Sequence, residues 1–228
     1  MVRLFHVAKS YPGAEVLLDV SLAIEPGELV VISGRAGSGK SVLLRLLAGL
    51  ETPTRGWIAI DGFTLSATSP WANAAHRRRL AVVTQGAALV PEMSALDNVA
   101  LALTVGGVGV AAARRSAGEL LERLDLLRLA TRPVRLLSSG ERKWIAVARA
   151  LVREDARLLI ADEPTADLDS ADEELLGELL DERRRLGAAI VVTSQEPGLL
   201  GVAGQRVLVL HRGRIALDSA AVAEARAS

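Results

Sequence analysis

Short apolar runs alternate along the chain with amphipathic segments, and this alternation predicts an α/β fold. The runs lie at residues 29–33, 80–83, 158–161 and 188–193. Strands of a parallel sheet that is covered on both faces have this composition. We therefore expect four short buried strands, of which the runs at 158–161 and 188–193 lie in the centre of a parallel sheet.

Turn residues and amphipathic periods predict the remaining elements. Further strands are expected at Val2–Ala8, Val16–Ile24 and Gly56–Ile60, and a terminal hairpin at Arg206–His211 and Arg214–Asp218. Helices are expected at residues 41–50, 70–79, 94–105, 111–127, 141–153 and 171–185. This order predicts one domain over residues 1–228. It comprises a β-rich N-terminal section, an α/β core and a helical subdomain inserted at about residues 86–155.

The composition limits the core and the class of partner. Hydrophobic residues make up 50% of the chain but aromatic residues only 3%, so the core is expected to be aliphatic. Lys plus Arg equals Asp plus Glu at 27 each, which gives no net attraction to nucleic acid. The basic run at residues 76–79 suits a solvated face, with phosphate or lipid contact as the alternative. The chain has no cysteine, which fits a reducing cytoplasm.

A phosphate-binding loop follows the first apolar strand and precedes a helix. Its eight residues fit the pattern G-x-x-x-x-G-K-[ST] and are Gly34, Arg35, Ala36, Gly37, Ser38, Gly39, Lys40 and Ser41. In such a loop the backbone N–H groups point at phosphate oxygens, and the helix N-terminus adds partial positive charge. Lys40 is expected to reach the β- and γ-phosphates, and the Ser41 hydroxyl to bind Mg²⁺.

Two carboxylates end the buried strand at residues 158–161. We expect Asp162 to hold Mg²⁺ and Glu163 to polarise an attacking water. The simpler alternative is an acidic turn before Pro164.

A second anion site is predicted where a helix begins after Leu137. Ser138, Ser139 and Gly140 offer hydroxyl and backbone N–H groups there, although an ordinary N-cap followed by Glu141 needs no ligand. One nucleotide does not need two phosphate sites in one chain. Two chains facing head to tail would use both.

Over about residues 2–218 the sequence resembles the ATP-binding subunits of ABC transporters. The order of motifs carries the resemblance: the phosphate loop, Gln85, Leu137–Glu141, then Asp162-Glu163 and the segment at 166–169. The resemblance implies a P-loop NTPase core with a parallel sheet, an N-terminal antiparallel β subdomain and an inserted α-helical subdomain. It also implies ATP and Mg²⁺ as cofactors.

The resemblance implies roles for further residues. Tyr11 corresponds to the aromatic that stacks on adenine, with packing on Pro12 as the alternative. Gln85 would contact Mg²⁺ and the attacking water. Ser138 and Gly140, with Ser139 between them, would contact the γ-phosphate bound to the other subunit. Asp167 and Asp169 would join the two sites of a dimer.

The resemblance also implies partners. They are an integral-membrane permease and a second copy of the chain or a related ATP-binding subunit, at the cytoplasmic face of the membrane. Residues 89–100 look most like the lipoprotein-release and macrolide-export group. Cargo is chosen by the permease and any extracytoplasmic parts, not by this chain.

Three departures from the family pattern bear on activity. The family usually has a histidine after the strand at 188–193, where this chain has Ser194-Gln195. None of the three histidines of the chain, His6, His76 and His211, lies at that position. His6 and His211 are interpreted as strand-end residues. We expect Ser194 to take the histidine's place. Ser139 replaces a glycine. Trp144 stands where a polar or basic residue is usual, and packs either on a partner or within the helical subdomain.

Two other functions compete with that of a transport ATPase. The first is a nucleotide-dependent switch with weak hydrolysis, which the replacement by Ser194 suggests. The second is a DNA-repair or translation protein of the same family. Such proteins usually carry long coiled coils or two ATP-binding cassettes, and the balanced charge of this chain argues against nucleic acid.

Overall fold

Two β-sheets and five helices make up the described part of the computed structural model, which covers residues 2–65, 80–166, 168–195, 202 and 204–220. The strands are β1 (Val2–Tyr11), β2 (Ala14–Ile24), β3 (Leu29–Ser33), β4 (Arg55–Ile60), β5 (Phe63–Leu65), β6 (Leu80–Val83), β7 (Leu158–Asp162), β8 (Ala189–Ser194), β9 (Arg206–His211) and β10 (Arg214–Asp218). The helices are α1 (Lys40–Leu47), α2 (Ala95–Val105), α3 (Val110–Arg123), α4 (Ser139–Leu151) and α5 (Ser170–Arg185).

The N-terminal strands form an antiparallel sheet of order β2-β1-β4-β5. Alternate residues of these strands are buried, as expected for a sheet with one face against the core. The pairing of β1 with β2 is irregular near His6, which has a left-handed φ of 48°. His6 therefore lies inside β1, where its Nδ1 contacts Asp19. The prediction that His6 ends a strand is wrong. His211 does end β9.

The second sheet has the order β10-β9-β3-β8-β7-β6, and only β10 runs antiparallel to its neighbour. Strand β8 lies between β3 and β7, so that Ser194 pairs with Ser33 and Thr193 with Asp162. The carboxyl ends of parallel strands meet at one edge of a sheet. The segments that follow β3, β6, β7 and β8 therefore leave the sheet at the same edge.

The parallel sheet separates two hydrophobic clusters. In β3, Leu29 and Val31 face one cluster while Val30 and Ile32 face the other, and β7 and β8 alternate in the same way. The first cluster contains the inward faces of α2, α3, α4 and α5. The second contains α1 and the buried face of the antiparallel sheet. Both faces of these strands are covered, which explains why they are apolar throughout.

The helical segment between β6 and β7 consists of α2, α3 and α4, with short 3₁₀ turns at Leu127–Leu129 and Val134–Leu136. Helix α3 ends at Arg123, four residues before the predicted end at Leu127. It ends there because Asp125 takes a left-handed φ of 55°. Among the described residues, no helix is long and apolar enough to cross a membrane. The helix predicted at residues 70–79, with its basic run, lies outside the described residues.

The α/β fold with an antiparallel N-terminal sheet is confirmed. The structure also decides between the alternatives for Trp144, since this side chain is 7% exposed and belongs to the first hydrophobic cluster. It packs within the helical subdomain.

We expect Trp144→Ala to lower the free energy of unfolding by about 3–5 kcal/mol, because it removes a large buried ring and leaves a cavity. Urea denaturation measures the difference. The control is Leu186→Ala, at a residue that is 72% exposed, and it should change stability by less than about 0.5 kcal/mol. A Trp144→Ala chain as stable as the control would contradict the packing described.

Candidate nucleotide-binding site

The phosphate loop needs glycine at two positions where other atoms approach closely. A Cβ on Gly34 would lie 2.4 Å from the carbonyl oxygen of Leu210 and 2.7 Å from Ser38 Oγ. A Cβ on Gly39, whose φ is 106°, would lie 2.8 Å from Leu17 Cδ2. These contacts hold the loop between β9 and β2, so its shape is fixed by the surrounding fold.

Lys40 and Ser38 are both buried in this loop, at 6% and 7% exposed. Lys40 Nζ donates to the carbonyl oxygens of Gly34 at 2.5 Å and Arg35 at 3.4 Å. Ser38 Oγ has no hydrogen-bond partner among the described residues. A buried hydroxyl without a partner is costly, and a bound phosphate oxygen would supply the acceptor.

Ser41 and Asp162 come together although they are far apart in sequence. Ser41 Oγ lies 3.5 Å from Asp162 Oδ1, which also accepts a hydrogen bond from Thr193 Oγ1 at 2.6 Å. The pairing of β7 with β8 places Thr193 beside Asp162. Hydroxyl and carboxylate oxygens are the hard donors that Mg²⁺ takes together with substrate phosphates, so this pair fits a magnesium site beside the phosphate loop.

Glu163 follows Asp162 in a strained backbone conformation, with a left-handed φ of 45°. Its N–H donates to Thr193 Oγ1 at 3.0 Å, and its carbonyl oxygen accepts from Lys143 Nζ at 2.9 Å. Its carboxylate lies 3.4 Å from the side-chain amides of Gln85 and of Gln195. The backbone bonds hold the strained conformation and aim the carboxylate toward the two amides.

The loop after Gln85 is held by Arg149 of α4. The guanidinium donates to the carbonyl oxygens of Ala87 and Ala88, at 2.7 Å each. Both alanines have left-handed φ values, 59° and 46°. Burial lowers the pKa of Arg149, although arginine stays protonated at any relevant pH. Helix α4 thus fastens both the Gln85 loop, through Arg149, and Glu163, through Lys143.

The segment at 138–141 forms an N-terminal capping box on α4. Ser138 Oγ accepts from the Glu141 N–H at 3.2 Å, and the Ser138 N–H donates to Glu141 Oε2 at 2.9 Å. That backbone hydrogen bond is the largest cause of the lowered pKa of Glu141. The N-cap alternative is therefore realised within the chain. Ser139 is exposed at the first helical position.

Among the described residues, nothing requires a glycine at position 140. A Cβ built on it meets nothing within 4 Å, and its backbone is regular helix. Glycine in a helix costs about 1 kcal/mol relative to alanine. An unneeded glycine beside two exposed serines suits close approach by something outside the chain.

Tyr11 is tied to the helix of the phosphate loop. Its hydroxyl donates to Glu51, which also accepts from Arg45 Nε at 2.7 Å. Lys9 Nζ lies 5.0 Å from the ring centroid. Burial raises the pKa of Glu51, but hydrogen bonds from Tyr11, Lys9 and Arg45 outweigh it, so the pKa lies below its usual value. Tyr11 is thus anchored by Glu51, and the alternative of packing on Pro12 is not needed to explain its position.

The remaining predicted residues are placed as follows. Ser194 ends β8 and is 3% exposed. Asp169 caps α5, its carboxylate accepting from the Asp172 N–H at 2.9 Å. Asp167 lies outside the described residues. The structure brings together the phosphate loop, Gln85, Asp162, Glu163 and Ser194 at one sheet edge.

Four residues of the site were not singled out from the sequence, namely Lys143, Arg149, Thr193 and Gln195. One signal was available for Lys143, which lies on the same helix stripe as the apolar residues Ala146, Val147 and Ala150. A lysine on a buried stripe needs an acceptor. Nothing in the sequence indicates that the acceptor is the carbonyl of Glu163.

The chain was compared with known families and curated proteins. The family model described as "ABC transporter" matches residues 17–166. The lipoprotein-releasing system ATP-binding protein LolD of Bordetella pertussis is 41% identical over 219 residues, which cover 93% of this chain and 94% of LolD. LolD of Nitratidesulfovibrio vulgaris is 39% identical over 94% of both chains. The Fe(3+) ions import ATP-binding protein FbpC of Rhizobium etli is also 39% identical. That match covers 92% of this chain but only 58% of the length of FbpC.

Solved structures give the same result. The ATP-binding cassette MJ0796, as a dimer in a post-hydrolysis state bound to ADP and Pi, superposes with a TM-score of 0.88. The sequences are 31% identical, and the match covers 96% of this chain and 97% of that one. A second dimeric structure of MJ0796 gives a TM-score of 0.86 at 30% identity, over 96% of this chain and 97% of that chain.

We expect Lys143→Met to lower the free energy of unfolding by about 1–3 kcal/mol, because the Glu163 carbonyl loses a buried donor. Amide hydrogen exchange should also quicken at residues 163–166, where the strained turn loses its support. The matched control is Arg115→Met on the exposed face of α3, which removes a basic side chain without this bond. Equal exchange at 163–166 in both variants would refute the role given to Lys143.

Proposed function

Because the chain belongs to the ABC transporter family, as an ATP-binding subunit, we propose that it hydrolyses ATP at two composite sites of a head-to-tail dimer and so powers a membrane permease. The observation that carries this proposal is the convergence of the phosphate loop, the Ser41–Asp162 pair and Glu163 at one edge of the parallel sheet. Phosphate binding, metal binding and activation of water need these groups side by side.

Nucleotide binding falls to the phosphate loop and to Tyr11. Lys40 would exchange its bonds to the Gly34 and Arg35 carbonyls for the β- and γ-phosphates. Ser38 Oγ would donate to a phosphate oxygen, which relieves its lack of a partner in the described part of the chain. Tyr11, anchored by Glu51, would stack on adenine, a contact worth about 1–3 kcal/mol.

Magnesium would be held by Ser41 and Asp162, with Gln85 at its side. When bound, Mg²⁺ neutralises charge that develops on the transferred phosphoryl group. Thr193 donates to Asp162 at 2.6 Å and so fixes the carboxylate that faces Ser41. The residues fit this ion because they offer oxygen ligands and leave further positions to phosphate and water.

Glu163 would take the role of general base. Its carboxylate accepts a proton from water as the water oxygen attacks the γ-phosphorus, and the bond from that phosphorus to the ADP oxygen breaks. The Gln85 amide, 3.4 Å from Glu163 Oε2, would help to orient the water. The strained backbone of Glu163 supports this role, since such strain is typical of residues held for function.

The segment Ser138–Gly140 would complete the site of the other subunit. It offers the N-terminus of α4, the exposed side chains of Ser138 and Ser139, and a glycine that the described fold does not require. The two dimeric MJ0796 cassettes support a dimer. Asp167, named from the sequence, would lie near this junction.

A permease partner would place the chain at the cytoplasmic face of a membrane. The relatives' names support a transport subunit, but they differ in cargo: LolD is the ATP-binding protein of a lipoprotein-releasing system, and FbpC is an ATP-binding protein for import of Fe(3+) ions. The chain spans 94% of LolD and 58% of FbpC, which favours the lipoprotein-release type. No nucleic acid is expected, since the charges balance at 27 each.

Purified wild-type chain should hydrolyse MgATP, and Glu163→Gln should bind MgATP without turning it over, because the amide cannot accept the proton. Dimers should then accumulate in size-exclusion chromatography with ATP present. Lys40→Ala should lose nucleotide binding, measured by titration with a fluorescent ATP analogue. Glu119→Gln, an exposed site on α3, is the matched control and should behave as wild type. Unchanged ATP binding by Lys40→Ala would overturn the site.

Gly140→Ala separates folding from assembly. The free energy of unfolding should stay the same or rise by up to about 1 kcal/mol, because alanine favours the helix and meets no atom within 4 Å. ATP-dependent dimerisation and ATP turnover should fall, because the methyl group obstructs the partner's nucleotide. The matched control is Gly118→Ala in α3, where a Cβ meets only Leu96 at 3.9 Å. Equal dimerisation by both variants would contradict the composite site.

A further inference from the structure

The Glu163 carboxylate is contacted from two sides by glutamine amides. Gln85 Nε2 lies 3.4 Å from Oε2, and Gln195 Nε2 lies 3.4 Å from both Oε1 and Oε2. Gln85 was expected at this place from the sequence, whereas Gln195 was not. A donor shared between both carboxylate oxygens limits rotation of the carboxylate plane.

The main chain holds Gln195 in this place. Residue 195 is the first after β8, and Ser194 pairs with Ser33 at the end of β3. Ser33 Oγ donates to the carbonyl oxygen of Gln195 at 3.4 Å. The backbone of Gln195 is therefore fixed beside the start of the phosphate loop, and its side chain reaches from the end of β8 to Glu163, just after the neighbouring strand β7.

Burial distinguishes Gln195 from its neighbour. Ser194 is 3% exposed within the strand, while Gln195 is exposed at the sheet edge where the catalytic groups converge. A serine hydroxyl is also much shorter than a glutamine amide. Reach and exposure both favour Gln195 as the residue after β8 that faces the reacting groups.

We propose that Gln195 is a positioning residue for ATP hydrolysis, holding the Glu163 carboxylate in the orientation in which it accepts a proton from water. The inference rests on the proposed function. It replaces the expectation that Ser194 performs this task. Because an amide does not titrate, this position adds no ionisation of its own to the pH dependence of turnover.

The test measures kcat and KM for MgATP and nucleotide affinity in the full chain. Gln195→Ala should lower kcat by about tenfold, a change of about 1.4 kcal/mol in barrier height, while nucleotide affinity and thermal stability stay near those of wild type. The matched control is Gln205→Ala, which removes a glutamine outside the catalytic edge and should leave kcat unchanged. A loss of kcat in Ser194→Ala but not in Gln195→Ala would overturn the proposal.

Two substitutions give readouts that a structural role would not change. Gln195→Glu should lower kcat at least as far as Gln195→Ala, because a second carboxylate repels Glu163 instead of donating to it. Gln195→His should introduce an inflection near pH 6.5 into the pH profile of kcat, the ordinary titration range of histidine. A Gln195→Glu chain with the kcat of wild type, or a Gln195→His profile without this inflection, would refute the assignment.

The outcomes also separate this inference from the function it rests on. A wild-type chain that binds and hydrolyses MgATP, with Gln195→Ala equal to it in kcat, would leave the proposed function standing and remove only the role of Gln195. A wild-type chain without nucleotide binding would contradict both.

Discussion

Parallel pairing of β3, β8, β7 and β6 is the constraint on which the site depends. In this register Ser33, Ser194, Thr193 and Asp162 come to one edge, although residues from opposite ends of the chain supply them. The site therefore requires the complete central sheet and cannot form from the phosphate loop alone. The same constraint explains the apolar strands, because both faces of the sheet are covered by hydrophobic clusters.

Helix α4 connects this edge to the surface that would meet a second subunit. Its N-terminus presents Ser138 and Gly140, its buried face carries Lys143 to the Glu163 carbonyl, and Arg149 reaches the loop after Gln85. All three contacts belong to one rigid element of 13 residues. A displacement at the helix N-terminus would thus reach both Glu163 and the glutamine loop. Lys143 and Arg149 make this connection because they bond to backbone carbonyls, whose positions do not depend on side-chain identity.

The sequence was sufficient for the fold class and for most of the elements that the structure describes. The predicted bounds of β3, β6 and the β9–β10 hairpin agree with those observed. These bounds were predictable because apolar runs and turn residues can both be identified in the sequence. Contacts between distant segments were not predictable: the anchoring of Tyr11 by Glu51 and the reach of Gln195 to Glu163 depend on register and backbone direction. The left-handed φ of Glu163 was equally hidden, since no glycine marks it.

The phosphate loop also touches the last hairpin of the chain. The Gly213 N–H donates to the Ser38 carbonyl at 3.2 Å, its carbonyl accepts from the Leu18 N–H at 3.0 Å, and Leu210 crowds Gly34. The phosphate loop therefore takes its final shape only against residues made much later in synthesis. During translation, the loop lacks part of its support until residues 206–218 have left the ribosome, so the order of synthesis delays formation of the nucleotide site.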